Sequence, residues 1–437
     1  MPDVPKYDAL QTEILKAPIM KKFQLYGFFK NLRFFEPYLL IILLAWGLNL
    51  FQIGLLVLIR EVITYIFEVP SGIIADKYGK KNELLVCFVF YISSFVFFFF
   101  GSGPNWTVLI FASVFFGLGE AFRSGTHKAM ILLWMDKNNY QDHKTFVYGR
   151  TRSWSLLGSA LSGILSIFMI IFAPASNWLF LITIIPYILD FILITTYPSY
   201  MNEHTPLTQP YWKEMASGFK DIFVALKNRS LVKGLFSSAT YDAIFRTLKD
   251  YIQPIIKILV AAMILHLGLS SINISEEDII SIILGLLYTF FYLLSSFSSR
   301  NAYLVKNYFK SAKKGMDIIF YVFGVLLLLN ALFIYIEIPI VVIILYLIIY
   351  ILQNVRRPLC VDYLGETMKK EQRVTMLSVE SQIKSILVLI FAPLFGLLGD
   401  YSIPLLFLIV GATMFTINLL LRGEGRKITT PEVSDGF

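Results

Sequence analysis

The sequence is poor in cysteine and in charge, and both shortages exclude whole classes of protein. It contains 2 cysteines, and Cys87 and Cys360 each lie within an apolar run, so neither a disulfide framework nor a cysteine metal site is predicted. Charged residues make up 16% of the chain, whereas soluble domains carry about 25%. The N-terminal residues lack the apolar core and small-residue cleavage site of a signal peptide. An ordinary soluble domain and a secreted disulfide-rich domain are both excluded.

Catalytic signatures are missing as well. The chain has no H-E-x-x-H, no G-x-S-x-G and no phosphate-binding G-x-x-x-x-G-K-S/T sequence. These are the patterns of metalloproteases, serine hydrolases and P-loop nucleotide-binding proteins. We therefore expect neither an enzyme nor a resident cofactor or metal ion.

Apolar residues dominate instead. They make up 57% of the chain, with 39 phenylalanines and a mean hydropathy of +0.68, which indicates a polytopic membrane protein. Twelve apolar runs are long enough to cross a bilayer at a rise of about 1.5 Å per residue, and they predict an all-α fold of twelve transmembrane helices. The predicted spans are 25–46, 50–75, 83–101, 106–133, 148–172, 177–198, 231–262, 277–298, 315–335, 339–363, 375–399 and 402–421.

The distribution of Lys and Arg between the spans predicts the orientation of the chain. The links that begin near residues 47, 101, 173, 264, 335 and 400 contain no Lys or Arg, whereas the alternate links and both termini are basic. Because cytoplasmic loops carry the excess of Lys and Arg, we predict an integral protein of the cell (inner) membrane with both termini in the cytoplasm. Topology thereby explains the net charge of +8, and nucleic acid is not an expected partner.

A polar sequence between the second and third predicted spans carries a motif. Residues Gly72 to Lys81, GIIADKYGKK, match G-x-x-x-D-R/K-x-G-R/K-R/K at every fixed position. This motif resembles the signature loop of the major facilitator superfamily, which lies between helices 2 and 3. Residues 120–131 and 356–385 resemble a prokaryotic branch of general permeases in that superfamily. The resemblance implies two pseudo-symmetric six-helix bundles.

The same resemblance implies that the motif latches one conformation of a transporter. Asp76 is expected to contact the N-terminal end of a neighbouring helix, where the helix dipole favours an anion. Gly72 is expected to let the second span approach a neighbour closely, and Gly79 to permit a tight turn. Glu68 could act as a second acid of the latch or pair with Arg150 or Arg152. The predicted latch comprises Gly72, Asp76, Lys77, Gly79, Lys80, Lys81 and Glu68.

The longest polar link divides the predicted spans into two groups of six. We expect a cytoplasmic linker at 199–230, in which apolar residues at helical spacing over 211–227 predict an amphipathic helix on the membrane surface. The other predicted regions are a cytoplasmic N-terminal segment (1–24), a first bundle (25–198), a second bundle (231–421) and a cytoplasmic tail (422–437).

Charged residues within the predicted spans are the candidates for function, because a charge at the centre of a membrane helix costs about 2.5–3.5 kcal/mol. Four pairs are spaced three or four residues apart and are expected to share a helix face: Glu120–Arg123, Asp242–Arg246, Arg246–Asp250 and Glu380–Lys384. Each charge could instead belong to a structural ion pair. The residues expected to line a substrate or proton cavity are Lys30, Arg33, Glu36, Glu61, Glu120, Arg123, Asp242, Arg246, Asp250, Arg356, Glu380 and Lys384.

Two further patterns of the superfamily are incomplete in this chain. Many proton-coupled members carry R-x-x-x-G-x-G in the fourth span, and here Gly117 and Gly119 are present with Ser113 in place of the arginine. Many drug exporters carry a glycine-rich stretch with a proline in the fifth span. Residues 158–163, GSALSG, have the small residues without the proline. The sequence therefore does not support typical drug/proton antiport.

Together these features predict a secondary active transporter that moves a polar or charged small molecule by alternating access and is coupled to protons. The alternative is a multidrug or antibiotic efflux antiporter, and the competing class is a membrane-embedded enzyme or a channel. The expected partners are a small-molecule substrate, protons and the lipid bilayer, and we expect a monomer.

Overall fold

The computed structural model describes residues 9–103, 105–202, 229–267, 275–300, 311–367 and 373–421. Within these ranges the regular elements are all helices, as the apolar spans predict. The first half contains α1 (Ala9–Lys16), α2 (Pro18–Lys30), α3 (Leu39–Ala45), α4 (Leu50–Tyr78), α5 (Lys80–Phe100), α6 (Trp106–Arg123), α7 (Thr126–Lys137), α8 (Lys144–Phe172) and α9 (Trp178–Thr195). The second half contains α10 (Arg229–Leu248), α11 (Ile252–Leu267), α12 (Glu276–Arg300), α13 (Ala312–Tyr335), α14 (Pro339–Thr367), α15 (Arg373–Tyr401) and α16 (Ile403–Leu421).

The helices follow the order of the twelve predicted spans, and their apolar length varies. Nine segments in the described ranges are long and apolar enough to cross a membrane. The other three predicted spans correspond to α2–α3, α10–α11 and α16. Turns interrupt the first two, and the apolar part of α16 is shorter. The predicted surface helix at 211–227 and the predicted tail at 422–437 lie outside the described residues.

Three predicted spans are broken rather than continuous, which corrects the sequence prediction. A 3-10 turn at Glu36–Tyr38 separates α2 from α3, and another at Lys249–Tyr251 separates α10 from α11. Pro37 lies in the first turn and Pro254 just after the second, and a proline cannot continue a preceding helix because it lacks the N–H donor. Between α6 and α7 the chain turns at Gly125, which has a φ of +79°. The first two breaks carry charged side chains, Glu36 in one and Lys249 and Asp250 in the other.

The motif at residues 72–81 is almost entirely helical, so the predicted loop is much shorter than expected. The helix α4 runs to Tyr78 and α5 begins at Lys80, which leaves Gly79 alone between them. Gly79 has a φ of +95°, and a Cβ there would collide with the Asn202 side chain, so the predicted tight turn is confirmed. The expected close approach at Gly72 is wrong, because no heavy atom lies within 4 Å of a Cβ built there.

The two halves meet along two helix pairs, α4 with α15 and α8 with α12. We call the end of the bundle where α4 meets α5 the Gly79 end, and the end where α15 meets α16 the Asp400 end. Glycines allow α4 and α15 to touch through their backbones. A Cβ at Gly54 would lie 2.7 Å from Pro393 Cα, and a Cβ at Gly396 would lie 2.7 Å from Phe51 Cα. Both contacts lie towards the Asp400 end.

The second helix pair also joins the halves in the part of the bundle nearer the Asp400 end. A Cβ at Gly163 of α8 would lie 2.9 Å from the Gly285 carbonyl oxygen of α12. The Tyr38 hydroxyl, between α2 and α3, donates to the Ser281 carbonyl at 3.0 Å. At the Gly79 end, Arg152 Nη2 donates to Asn354 Oδ1 at 3.3 Å. The closest backbone contacts between the halves therefore lie nearer the Asp400 end.

Candidate functional site

A cavity of about 240 Å³ lies between the two halves, next to the breaks that follow α2 and α10. Apolar side chains from α3, α4, α6 and α15 form part of its wall, among them Leu43, Ile53, Phe116 and Val388. Its charged lining residues are Arg33, Glu36, Arg60, Glu120, Arg246, Lys249 and Asp250. The cavity therefore combines an apolar wall with charges of both signs.

Glu120 is the centre of a charge cluster that belongs wholly to the first half. Its carboxylate pairs with Arg33 Nη2 at 3.2 Å and with the Arg123 guanidinium on the same helix face, so the predicted Glu120–Arg123 pair is present. The Tyr91 hydroxyl donates to Glu120 Oε1 at 2.7 Å, and Arg33 Nε donates to the Tyr187 hydroxyl oxygen at 2.7 Å. One carboxylate and two guanidiniums leave this cluster with a surplus of one positive charge.

Glu61 joins the two halves through a second cluster. It is 2% exposed, and its Oε1 and Oε2 accept from Arg246 Nη2 and Nη1 at 2.6 and 3.3 Å. Arg60 Nη2 lies 3.3 Å from the same carboxylate. The predicted Asp242–Arg246 pair does not form, because Arg246 reaches across to Glu61 while Asp242 accepts from Gln353 Nε2 at 3.0 Å. This cluster also has two guanidiniums for one carboxylate.

The third cluster, Glu36, Lys249 and Asp250, has the opposite balance. Lys249 Nζ lies 3.4 Å from Glu36 Oε1 and 2.9 Å from Asp250 Oδ1. The Tyr292 hydroxyl donates to Glu36 at 3.2 Å, and the Tyr288 hydroxyl donates to Asp250 at 2.7 Å. Two carboxylates share one ammonium, which leaves a surplus of one negative charge. The predicted Arg246–Asp250 pair is wrong, because the helix breaks between these residues and the four-residue spacing no longer places them on one face.

Seven of the predicted cavity residues do not line the cavity. Arg356 is 1% exposed and lies within the second half, with its guanidinium 4.2 Å from the Tyr241 ring centroid and Nη2 bonded to Ser237. Glu380 accepts from Ser238 Oγ at 2.9 Å, and within the described residues no ion pair joins it to Lys384, contrary to the prediction. The seven residues outside the lining are Lys30, Glu61, Arg123, Asp242, Arg356, Glu380 and Lys384.

The predicted latch residues make their described contacts within the first half. Lys81 Nζ donates to the carbonyl oxygens of Thr195 and Tyr197 at 2.6 and 3.2 Å, where a cation stabilises the C-terminal end of α9. Glu68 accepts from Ser124 Oγ at 2.6 Å. Lys80 is the first residue of α5. Lys81 therefore connects α5 to the C-terminal end of α9.

Of the other two latch residues, one has a described side-chain contact. Lys77 lies over the Tyr78 ring, with 4.9 Å between Nζ and the ring centroid. Asp76 lies in the last turns of α4, and the predicted contact of its carboxylate falls outside the described side chains.

Asp400 is an important residue that the sequence interpretation treated only as part of a short link. Its two carboxylate oxygens accept from the backbone N–H groups of Leu50 and Phe51 at 2.7 and 2.8 Å, at the start of α4. Asn49 caps the same helix by accepting from Gln52 N–H at 2.8 Å. An anion at a helix N-terminus satisfies free N–H groups and interacts favourably with the helix dipole. A carboxylate of the second half therefore caps a helix of the first half.

Metal ligands are not clustered in the part of the chain that the structure describes. No group of three or more His, Cys, Asp or Glu residues there could hold a metal ion. Cys87 and Cys360 are both buried free thiols, in different halves. The chemistry that the site offers is ion pairing and hydrogen bonding.

Similar proteins agree with this architecture. Residues 28–301 match the family model described as Major Facilitator Superfamily. A curated relative, the uncharacterized MFS-type transporter YxaM of Bacillus subtilis (strain 168), is 28% identical over 241 residues, which cover 50% of this chain and 54% of the relative. The match thus spans about half the length of that relative.

Solved structures extend the likeness to nearly the whole chain. A mutant of the nucleoside transporter NupG has a TM-score of 0.73 at 10% identity and covers 92% of this chain and 98% of its own. A mutant of the peptide transporter POT has a TM-score of 0.68 at 10% identity, with 92% of each chain covered. The D-xylose-proton symporter has a TM-score of 0.66 at 13% identity and covers 93% and 97%. At these identities the likeness shows the fold alone, and with the family match it leads to one conclusion: the chain belongs to the Major Facilitator Superfamily.

Proposed function

We propose that this protein is a secondary transporter that moves a polar or charged small molecule by alternating access and is coupled to protons. The family match and the transporter folds support transport rather than catalysis. In this mechanism the two halves rock about a central site, which opens to one side of the membrane at a time. The cavity between the halves is the natural place for that site.

The observation that carries this proposal is the separation of charge across the cavity. The Glu120 and Glu61 clusters each hold two guanidiniums for one carboxylate, and the Lys249 cluster holds two carboxylates for one ammonium. A substrate with an acidic group and a basic group would place each against the surplus of opposite sign, since charge-assisted hydrogen bonds are about twice as strong as neutral ones. We therefore propose that the substrate carries both an acidic group and a basic group.

The contacts between the halves support the rocking motion. Opening the Asp400 end would separate Asp400 from the start of α4 and part the backbones at Gly54 and Gly396. In the predicted orientation that end faces away from the cytoplasm. The site would then be closed to the outside in the present conformation. Opening the Gly79 end would have to break the Arg152–Asn354 contact.

The efflux alternative makes a different demand on the cavity. A lipophilic drug fits a largely apolar site that has one or two charges, and seven charged residues line this cavity. Burial of those charges against an apolar molecule would leave them desolvated without compensation. The charged lining therefore favours the polar substrate.

The test has two stages. Purified protein is first screened against polar metabolites and antibiotics by thermal shift, because a bound ligand stabilises the folded state. Compounds that raise Tm are then assayed for uptake into proteoliposomes, where we expect saturation and collapse on addition of a protonophore. Arg246→Lys should weaken binding, and Lys257→Gln, an exposed cation outside the cavity, is the matched control. Conductance that does not saturate would contradict the proposal.

The proton-coupling part of the proposal is tested with neutral amides. The sequence points to Glu120 and Asp242 as coupling acids, and Glu120→Gln or Asp242→Asn should then abolish exchange driven by a pH gradient. If both variants respond to the gradient as the unaltered protein does, these two residues do not carry the proton.

A further inference from the structure

One acidic side chain in the first half has no counterpart among the clusters of the cavity. Asp190 of α9 is 0% exposed, and no side chain donates a hydrogen bond to either of its carboxyl oxygens. It does not line the cavity. By contrast, Glu36, Glu61 and Glu120 each contact at least one cation directly, and Asp250 does so too.

Other elements surround Asp190 with groups that can carry or attract a proton. The Lys30 ammonium, at the end of α2, interacts electrostatically with Asp190, and the Lys30 backbone lies beside the carboxyl group. Tyr26 lies on the same helix, and its hydroxyl is also buried without a hydrogen bond. The Tyr26 ring stacks on the His127 ring of α7, with 3.7 Å between the centroids. His127 Nε2 in turn lies 3.1 Å from the Tyr197 hydroxyl oxygen.

These groups extend towards the Gly79 end of the bundle. The Tyr197 hydroxyl donates to the Lys22 carbonyl at 3.4 Å, and Lys22 Nζ reaches the exposed Thr196 carbonyl at 2.6 Å. The remaining titratable groups that act on members of this region lie on α5, α6 and α9 and just after α2. They are Arg33, Cys87, Glu120, Arg123 and Tyr187. Protonatable side chains thus lie between Asp190 and one surface.

The physical argument concerns the cost of burying charge. An ionised carboxylate without hydrogen bonds in a membrane protein interior is strongly disfavoured, so such a group is held neutral or is neutralised by a cation. The cavity carboxylates have direct cation partners, which favour their ionised forms. Asp190 has one cation near it and no side-chain hydrogen bond, so a small displacement of that cation decides whether it holds a proton.

We infer that Asp190 and Lys30 form a proton-binding site inside the first half, separate from the cavity. In one state Asp190 is a neutral carboxylic acid. When the Lys30 ammonium moves closer, the acid releases its proton to water along the Tyr26–His127–Tyr197 side, and a carboxylate–ammonium pair remains. The reverse displacement takes up one proton. The Asp190 carboxyl group therefore exchanges one proton in each cycle.

Lys30 also connects this site to the cavity. It lies three residues before Arg33, which contacts Glu120 in the cavity lining, and the intervening chain is the break that follows α2. A ligand that pulls on Arg33 can therefore displace Lys30, and by linkage the proton must then alter the affinity for that ligand. This coupling rests on the proposed function, whereas the proton site itself does not.

The test is infrared spectroscopy of the full-length protein with ¹³C-labelled aspartate, purified in detergent and titrated with acid and base. We expect a carbonyl band of a protonated aspartic acid that Asp190→Asn lacks. Asp400→Asn is the matched control and should keep the band, because the Asp400 carboxylate accepts two N–H bonds. Lys30→Gln should move the titration of the band upwards by about 1–3 pH units, since a neighbouring cation favours the carboxylate.

Two results would overturn the inference. In the first, the infrared difference spectrum between the unaltered protein and Asp190→Asn shows only carboxylate absorption at every pH. That result would mean that Asp190 never holds a proton. In the second, the carbonyl band of protonated Asp190 is present at every pH and Lys30→Gln does not change it. That result would mean that Asp190 is a permanently neutral structural acid. Labelling keeps the assay decisive if Asp190→Asn folds poorly, because the band of the unaltered protein can still be titrated and compared with that of Lys30→Gln.

The assay needs no substrate, so it separates this inference from the proposed function. A titrating acid band in a protein that transports nothing would leave the proton site standing and remove the transport proposal. Saturable transport in a protein without the band would do the reverse. With both present, Asp190→Asn should abolish the dependence of uptake on a pH gradient and leave substrate exchange at equal pH intact.

Discussion

The ion pairs within the first half differ from those that join the two halves. The Glu120 cluster and the contacts of Lys81 connect helices of one bundle, so they can persist when the halves move as rigid bodies. The Glu61–Arg246 and Glu36–Lys249 pairs, and the cap that Asp400 provides to α4, cross the boundary. Interactions of the second kind have to break or rearrange in the alternating access that we propose. The difference separates residues that hold the fold from residues that set the conformational equilibrium.

The sign of the charge surplus also differs between the Glu120 and Lys249 clusters. The Glu120 cluster, confined to the first half, is positive, and the Lys249 cluster, built mainly around the break in the second half, is negative. A ligand with both signs would bridge the halves and replace interactions that exist between them. The following variants test this comparison in order of expected effect.

The largest effect is expected from Arg246→Ala. It leaves the buried Glu61 carboxylate with Arg60 as its cation partner, and removal of one partner from a buried pair costs about 3 kcal/mol. Thermal unfolding in detergent should show a clear drop in Tm. Adding Glu61→Gln to the same chain should recover part of the loss. Equal Tm values for Arg246→Ala and the control Lys257→Ala would show that the pair contributes nothing.

Gly79→Ala is expected to act on stability within one half. The new side chain would have to adopt a φ of +95° and displace Asn202, at a cost of about 1–3 kcal/mol. Gly72→Ala is the matched control, because Gly72 is helical and open on its side-chain face, where alanine stabilises by about 1 kcal/mol. Opposite changes in Tm are expected. A similar drop in both variants would show that the motif needs its glycines for another reason.

Glu36→Gln should change ligand preference rather than stability. It removes one of the two acids beside Lys249, so a ligand with a basic group should bind about tenfold more weakly, equivalent to about 1.4 kcal/mol. The analogue that lacks the basic group should bind unchanged. Isothermal titration with both compounds provides the measurement, and equal losses for the two would contradict the assignment of a negative subsite.

The smallest effect is expected from Asp400→Asn. The amide removes a full charge from the start of α4 and keeps one acceptor, which costs about 1 kcal/mol. If this contact holds the halves together, its weakening should expose residue 50 more often. The rate at which a thiol reagent labels a Leu50→Cys reporter should then rise about fivefold, since 1 kcal/mol is close to a factor of five. Glu276→Gln, an exposed acid in the first turn of α12, is the control. An unchanged labelling rate would mean that the Asp400 cap does not hold the two halves together.

The sequence predicted the class of fold because hydropathy and charge act locally. Apolar length requires a helix in a membrane, and the G-x-x-x-D-K-x-G-K-K motif with its turn at Gly79 was sufficient to indicate the superfamily. The Glu120–Arg123 pair was also predictable, since both residues lie on one unbroken helix, α6. Spacing is a reliable guide to contact wherever the helix continues.

Tertiary structure decided the partners wherever a helix breaks or another half approaches. Arg246 is four residues from Asp250, yet the turn at Lys249–Tyr251 separates them and Arg246 binds Glu61, 185 residues away. Asp400 looked like an ordinary link residue until α15 placed it against α4, and Asp190 differs from the other acids only in what surrounds it. Composition and periodicity determine which segments enter the membrane. Which charges meet there depends on distances between helices, because electrostatic and hydrogen-bond energies fall off over a few ångströms and one-dimensional spacing does not encode them.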